Sequence, residues 1–490
     1  MQVEVTRKDI KFTPDASRVI ARYTVFSNDT NKRIIKNVLA MGDEDVSTSV
    51  NHVLRGYAKR HRNISKILEK HFTKSAYIME DMNIDPSAID FNRILLIGSY
   101  FTMEYAIESA AFFNPSVVEH PDQTKLQPGE KRIILSFRAT GEGHISSIVF
   151  RTGIIDKNNN MLFEERGKML DEAEKVVKHV YDKQAFKNKL EEMKFYDNTL
   201  SPLVVLDKLN DQFTYKELKK VVEDTRKAYP FSEIETLTLE QVMWLASSHY
   251  EIEFSRDTAL SERVIFPVSA TEKNGIEDAR FVRFTDDDGS IKYFATYTAY
   301  DGSVIMPKLL ETESFYDFTV SPLSGEIAMN KGMALFPRKI KGKYAMLGRM
   351  DGASNYISFS DDYKVWDNAT KIQEPKYPWE LIKIGNCGSP LETDEGWLVI
   401  THAVGQMKEY VLGASLFDLD DPKKEIGRLK TPLMMPTTEE REGYVPNVLY
   451  SCGSMINNGD LLIPYGISDY ASTFASVKVQ ELLAALKNSK

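Results

Sequence analysis

The densest polar run in the chain is Asn274-Gly275-Ile276-Glu277-Asp278-Ala279-Arg280. Two adjacent carboxylates beside an arginine, presented by a glycine turn ahead of a strand, suit acid–base chemistry on a polar substrate. The arginine can keep one carboxylate ionised while burial raises the other. The same residues also suit an Asx-type turn with a surface ion pair, the commoner use of this pattern. His402 closes the strand-like run from Trp397. A histidine where a strand leaves its sheet can reach a pocket as donor or base, or can be a hydrogen-bonded structural residue. Arg349, Asp351 and Asp469 also follow strand-like runs. Such strand ends converge at one end of a closed β architecture, although each alone is an ordinary turn residue. His52, His61, His71, His120, His144, His179 and His249 lack metal-ligand spacing, and of these only His144 lies in a Gly-rich, β-like run. No phosphate-loop Gly-Lys-Ser/Thr, Gly-x-Ser-x-Gly elbow, His-Glu-x-x-His or Cys-x-x-Cys is present. P-loop, serine-hydrolase, zincin and dithiol chemistries therefore have no motif behind them.

The elements that must position these residues follow from the pattern of the chain. Its 490 residues are 42% hydrophobic and 27% charged, enough for a sizeable core and unlike a disordered chain. The net charge of −9 disfavours a long-range grip on nucleic acid or an anionic membrane, but not a local basic pocket. Cys387 and Cys452 are the only cysteines, so a reduced compartment is expected. The first twenty residues show no apolar signal core, and no run of eighteen apolar residues occurs. A cytoplasmic protein without membrane or nucleic-acid partners is the expectation.

Residues 1–100 open with a strand and then read as mostly helical, with Ile64, Ile67, Leu68 and Phe72 on one face. Residues 161–250 read as a helical insertion. Leu170, Ala173, Val177, Val180 and Tyr181 keep the helical period there, Leu218, Val221 and Val222 mark a second helix, and Thr238 with Gln241 suggests a capping box. Residues 101–160 and 251–485 are β. Hairpins are expected at Arg280–Phe284 with Ile291–Tyr297, Phe336–Ile340 with Lys343–Leu347, and Ser454–Ile456 with Leu461–Tyr465. Recurring short hairpins fit a sandwich, a barrel or a propeller, and periodicity does not choose among them. The helical regions either pack within the chain or build a homo-oligomer interface.

In order along the chain, FFNPSVV, LSFRATGEGHIS, NGIEDARFVRF, GMALFPRKIKGKYAMLGR, IGNCGSPLETDEGWLVITHAVG, REGYVPNVLYSCG and YGISD resemble glycoside hydrolase family 130, the inverting β-mannoside phosphorylases and β-1,2-mannosidases. The resemblance implies a mainly β chain with a five-bladed β-propeller and a site on its axis, flanked by an N-terminal helical region and a helical insertion between blades. It implies Asp278 as general acid, its proton passing through a sugar hydroxyl. Asn114, Ser116, Arg138, Glu277 and Asp469 are implied as sugar-binding residues. Lys331, Arg349, His402 and Tyr410 are implied as the phosphate group, with no metal or other cofactor. Lys331-Gly332 stands where the phosphorylases usually carry Arg-Asn, and supplies charge without the bidentate fork. His144 stands where a second arginine often follows Arg138. The expected reaction is phosphorolysis of β-mannosides, most of all β-1,2-mannooligosaccharides, to α-mannose 1-phosphate, with inorganic phosphate as co-substrate. The alternative is an inverting β-1,2-mannosidase in which Glu142, Glu277 or Glu442 activates water.

Overall fold

The computed structural model describes residues 3–167, 169–176, 180–192, 203–228 and 233–489. These form a mainly β protein with five sheets of four to six strands, two two-stranded ribbons and flanking helices. Sheet I runs through Ala111–Glu119, Lys131–Thr140 and Ser146–Ile155, and sheet II through Ile276–Thr285, Ile291–Tyr300, Ile305–Thr312 and Asp317–Pro322. Sheet III takes Ala334–Leu335, Tyr344–Gly348, Asn355–Ser360 and Thr370–Gln373. Sheet IV takes Lys383–Asn386, Gly396–Val404, Tyr410–Phe417 and Glu425–Arg428. Sheet V takes Leu449–Tyr450, Asp460–Ile467 and Ala471–Lys478, and Thr6–Arg7 from the start of the chain pairs with its last long strand. Consecutive strands pair antiparallel because short turns such as Asp286–Ser290 and Asn457–Asp460 return the chain at once.

Each sheet packs on the next through its own apolar cluster. Ile134, Ile148 and Phe150 of sheet I meet Phe281, Tyr293 and Ala295 of sheet II. Val282, Phe294 and Leu309 of sheet II meet Met346 and Tyr356 of sheet III. Ala345, Leu347 and Ile357 meet Trp397 and Val399 of sheet IV. Leu398, Ile400 and Leu412 meet Leu461 and Ile463 of sheet V. Leu462 and Phe474 of sheet V return to Val117, Ile133 and Phe137 of sheet I. Strands with both faces buried, such as Gly396–Val404, are what this arrangement requires. The helices Asn28–Ala40, Asp43–Tyr57, Ile64–Glu80 and Phe91–Tyr100 share a separate core around Ile35, Leu68, Phe72 and Leu96. Among the described residues, no helix is long and apolar enough to cross a membrane.

Several local expectations are corrected. The helical period through Leu170 to Tyr181 is not a helix: Asp171–Glu172, Glu174–Val176 and Val180–Asp182 are strands. The first pairs with Arg263–Val264 and the second with Glu251–Glu253, so distant partners override the local period. Residues 161–250 thus mix strands with helices; Val177 and His179 lie outside the described residues. Thr238 is inside the helix Glu233–Ser247 rather than at its cap. Phe336–Ile340 is not a continuous strand: sheet III begins at Ala334–Leu335, and across the expected turn Phe336 bonds to Ala345 and Ile340 pairs with Lys343. Leu218, Val221 and Val222 do lie on one helix, Tyr215–Ala228.

Candidate active site

The first strands of sheets I and II carry matching irregularities. Pairing slips between Phe113 and Ser116 in one, and between Glu277 and Arg280 in the other. Each slip holds one residue in the left-handed region, Asn114 at φ 50° and Asp278 at φ 57°. Asn and Asp tolerate this conformation better than other side-chain-bearing residues, and Pro115 has no N–H to leave unpaired in the bulge. The two bulges aim their side chains at each other: Asn114 Nδ2 donates to Asp278 Oδ1 at 2.7 Å.

Arg138, from the second strand of sheet I, completes this cluster. Its Nη2 donates to Glu277 Oε1 at 3.0 Å and its Nη1 reaches Asp278 Oδ1 at 3.5 Å, with its guanidinium over the Phe113 ring. Lys331 makes a close ion pair with the other oxygen of Glu277. Burial raises the Asp278 carboxyl, but Arg138, Arg280, the Asn114 hydrogen bond and Lys331 together hold it below the ordinary carboxylate range. Asp469, at φ 49°, is pushed the other way, up to about 6, by burial and then by the Asp278 charge. Arg138, Glu277 and Asp469 line a cavity of about 280 Å3 with Phe113, Asn274 and Tyr300.

A second cluster joins sheets III, IV and V. Arg349 Nη1 lies 3.0 Å from His402 Nε2, and His402 Nδ1 lies 3.1 Å from the Asn386 carbonyl. A carbonyl only accepts, so Nδ1 carries the proton and Nε2 accepts from Arg349. Burial, and then Arg349, Arg280 and Lys383, hold the His402 pKa well below its usual value, which fits a neutral ring. Tyr410 stacks parallel to His402, with ring centroids 6.5 Å apart. A Cβ on Gly385 would sit 2.5 Å from His402 Cε1 and 3.2 Å from Arg349 Nη1, so only glycine admits this pair against the strand.

Arg280 bridges the clusters. It is buried, its Nη2 donates to Tyr450 Oη at 2.7 Å, and its charge is felt by both Asp278 and His402. The Nε groups of Arg138, Arg280 and Arg349 and Oδ1 of Asn114 are buried without a hydrogen-bond partner. Three guanidinium donors and one amide acceptor left unpartnered around one site suit an anion and a polyhydroxyl ligand.

The structure therefore brings the sequence-selected residues into two linked groups. Asn114, Arg138, Glu277, Asp278, Lys331 and Asp469 form one; Arg349, His402 and Tyr410 form the other. Ser116 is packed beneath, accepting from Phe281 N at 3.2 Å. Sequence reasoning picked out Arg280 only as the neighbour of the two carboxylates, not as the link to the second cluster, and it left Tyr450 out, although both lie in the quoted motifs. Their signal was a buried charge needing a partner from another strand, which spacing does not encode. Among the described residues no group of three or more His, Cys, Asp and Glu could hold a metal ion.

The family model described as beta-1,4-mannooligosaccharide phosphorylase matches residues 245–488. The chain is 40% identical over 155 residues to a 1,2-beta-oligomannan phosphorylase of Thermoanaerobacter sp. (strain X514), covering 31% of this chain and 52% of that protein. That match spans about half the relative's length. Identity is 32% over 248 residues to a beta-1,2-mannobiose phosphorylase of the same organism, 47% of this chain and 76% of the relative. It is 26% over 289 residues to the beta-1,2-mannobiose phosphorylase of Listeria innocua serovar 6a, 57% of this chain and 78% of the relative. On these matches the chain belongs to glycoside hydrolase family 130.

Proposed function

We propose that this protein is an inverting phosphorylase that cleaves β-1,2-mannooligosaccharides with inorganic phosphate, releasing α-mannose 1-phosphate. The observation that carries the reading is the pairing of one acid cluster, Asn114-Asp278-Arg138, with buried cations whose Nε groups have no partner. The cyclic packing of sheets I to V supports reading them as five propeller blades, to which residues 1–100 and 161–250 add helices and edge strands. The names of the relatives support the β-1,2 linkage and the phosphate.

In this reading the mannosyl unit occupies the cavity bounded by Arg138, Glu277 and Asp469. Phosphate lies against Arg349 and Arg280, with Lys331 and Tyr410 at its edge. A phosphate oxygen attacks the anomeric carbon from the face opposite the glycosidic oxygen. The glycosidic C–O bond breaks as the C–O bond to phosphate forms, and the departing oxygen takes a proton that Asp278 supplies through a sugar hydroxyl. His402 acts through Arg349: both its nitrogens are engaged, so it fixes the guanidinium rather than donating to phosphate. Charge-assisted hydrogen bonds from the arginines orient the dianion and offset its charge.

Hydrolysis would need a carboxylate free to take a proton from water. Glu277 is bound by both Arg138 and Lys331, and Glu142 and Glu442 are exposed on the surface, which favours phosphate as the nucleophile. The test is a pair of variants assayed on β-1,2-mannobiose. Asp278→Asn is expected to lose about 100-fold or more in kcat with an unchanged far-UV spectrum. Arg349→Ala is expected to raise the KM for phosphate far more than that for mannobiose. Retained turnover in Asp278→Asn would remove it as the acid.

A further inference from the structure

We propose that His144 and Tyr444 form the binding wall for the departing sugar, the unit next to the one that is cleaved. The inference rests on the reading of the cavity above as the mannosyl site. That cavity, at about 280 Å3, is at the lower edge of the roughly 300–1,000 Å3 pockets that take larger ligands. With the mannosyl unit placed in it, the second ring lies at its mouth.

The mouth is where two segments from different sheets meet. One is the loop Gly141–Ile145, between the second and third strands of sheet I. The other runs from sheet IV to sheet V and carries Tyr444. Both His144 and Tyr444 line the cavity with Asp469. Their rings lie 5.4 Å apart at 33°, and Tyr444 Oη is 3.3 Å from His144 Nδ1. Tyr444 is 59% exposed and belongs to no apolar core cluster, so packing of the fold does not account for it. Two neighbouring flat rings with polar edges, open to solvent beside a sugar-sized cavity, suit the apolar face and hydroxyls of a pyranose.

The loop is built to present His144. Gly143 and His144 have φ 65° and 61°, a conformation that costs a histidine energy and so reflects a position fixed by its surroundings. The fixing comes from the ribbon strand Thr102–Ala106: Tyr105 Oη donates to the Glu142 carbonyl at 2.7 Å. A Cβ on Gly141 would lie 2.3 Å from the Ala106 carbonyl. Residues before sheet I thus buttress the rim of the site.

The experiment is run in the synthetic direction, with α-mannose 1-phosphate as donor and mannose as acceptor. Tyr444→Ala is expected to raise the acceptor KM about tenfold, with the donor KM within about twofold of wild type. Tyr444→Phe, which keeps the ring, recovers most of that loss, and His144→Ala gives a smaller rise in the acceptor KM alone. An unchanged acceptor KM in Tyr444→Ala, or equal rises for donor and acceptor, overturns the proposal. If the wild type neither makes nor uses mannose 1-phosphate, the phosphorylase reading fails separately. Calorimetry in an Asp278→Asn background then decides the wall. Loss of β-1,2-mannobiose affinity on adding Tyr444→Ala, with mannose affinity retained, supports it, and equal mannobiose affinities overturn it.

Discussion

At the scale of single residues, the account turns on two aspartates displaced in opposite directions. Asp278 is held ionised in the free protein by Arg138, Arg280, Asn114 and Lys331 against the effect of burial. A general acid must carry a proton when the bond breaks. An arriving phosphate dianion offsets those cations, and a bound sugar excludes water; both raise the Asp278 pKa. Phosphate binding is therefore expected to take up a proton at Asp278, set against the proton that inorganic phosphate itself gives up as the dianion is selected. Calorimetric enthalpies in buffers of different ionisation enthalpy would show it as greater net proton uptake by the wild type than by Asp278→Asn, and equal values would contradict it. Asp469 gives the second expectation. Its folded pKa, about 6, exceeds its unfolded value, so the native state binds the extra proton. Its contribution to stability is therefore greatest below the unfolded pKa and is lost as pH rises from about 4 towards 6. Asp469→Asn should stabilise the protein above pH 6 by about 1–3 kcal/mol, and little near pH 4, as read by thermal unfolding at the two pH values. These opposed shifts were not legible in the sequence. Glu277, Asp278 and Arg280 stood out as a cluster, but Asp469 gains its shift from residues far away in the chain.

At the scale of elements, the bulges matter more than the strands that carry them. Turn chemistry made most hairpins readable, because Asp-Gly and Asn-Gly pairs act locally. The bulges were not readable: FFNPS shows a proline, but the slip that turns Asn114 towards Asp278 depends on strand Lys131–Thr140 beside it. The stretch from Leu170 to Tyr181 misled for the same reason, since its strands exist only through partners at Glu251–Glu253 and Arg263–Val264. Gly385 tests an element directly. Gly385→Ala would drive a methyl group into His402 and Arg349 and displace the guanidinium. The phosphate KM is expected to rise about tenfold or more, while mannobiose KM is nearly spared. Equal effects on both substrates would place Arg349 outside the phosphate group.

At the scale of the whole molecule, five sheets pack in cyclic order, and a buried ion triad ties the N-terminal segment to them. Glu108 is fully buried and pairs closely with Arg18, and Arg151 Nη2 donates to it at 3.2 Å. Arg18 also donates to the carbonyls of Gly167 and Ser261. Glu108→Gln would leave two buried guanidinium groups short of a counter-charge. A loss of about 3–5 kcal/mol in chemical denaturation is expected, with KM values little changed in protein that remains folded. The β character of residues 101–160 and 251–478 was legible from hairpin texture. The expected β range ran on to 485, where Val479–Lys487 is a helix packed on sheets IV and V through Leu482 and Leu486. The order in which sheets meet was carried by the motif resemblance. The side-by-side placement of Arg280 and Tyr450, from sheets II and V, follows only from that packing.

The central claim is that phosphate, not water, displaces the sugar with inversion. The most direct measurement is combined proton and phosphorus NMR of the protein acting on β-1,2-mannobiose in inorganic phosphate, with a matched sample lacking phosphate followed by its proton spectrum. The account predicts α-mannose 1-phosphate as the first product, equimolar with free mannose, and no cleavage without phosphate. Free mannose appearing at the same rate in both samples, or a β-configured ester, would contradict it.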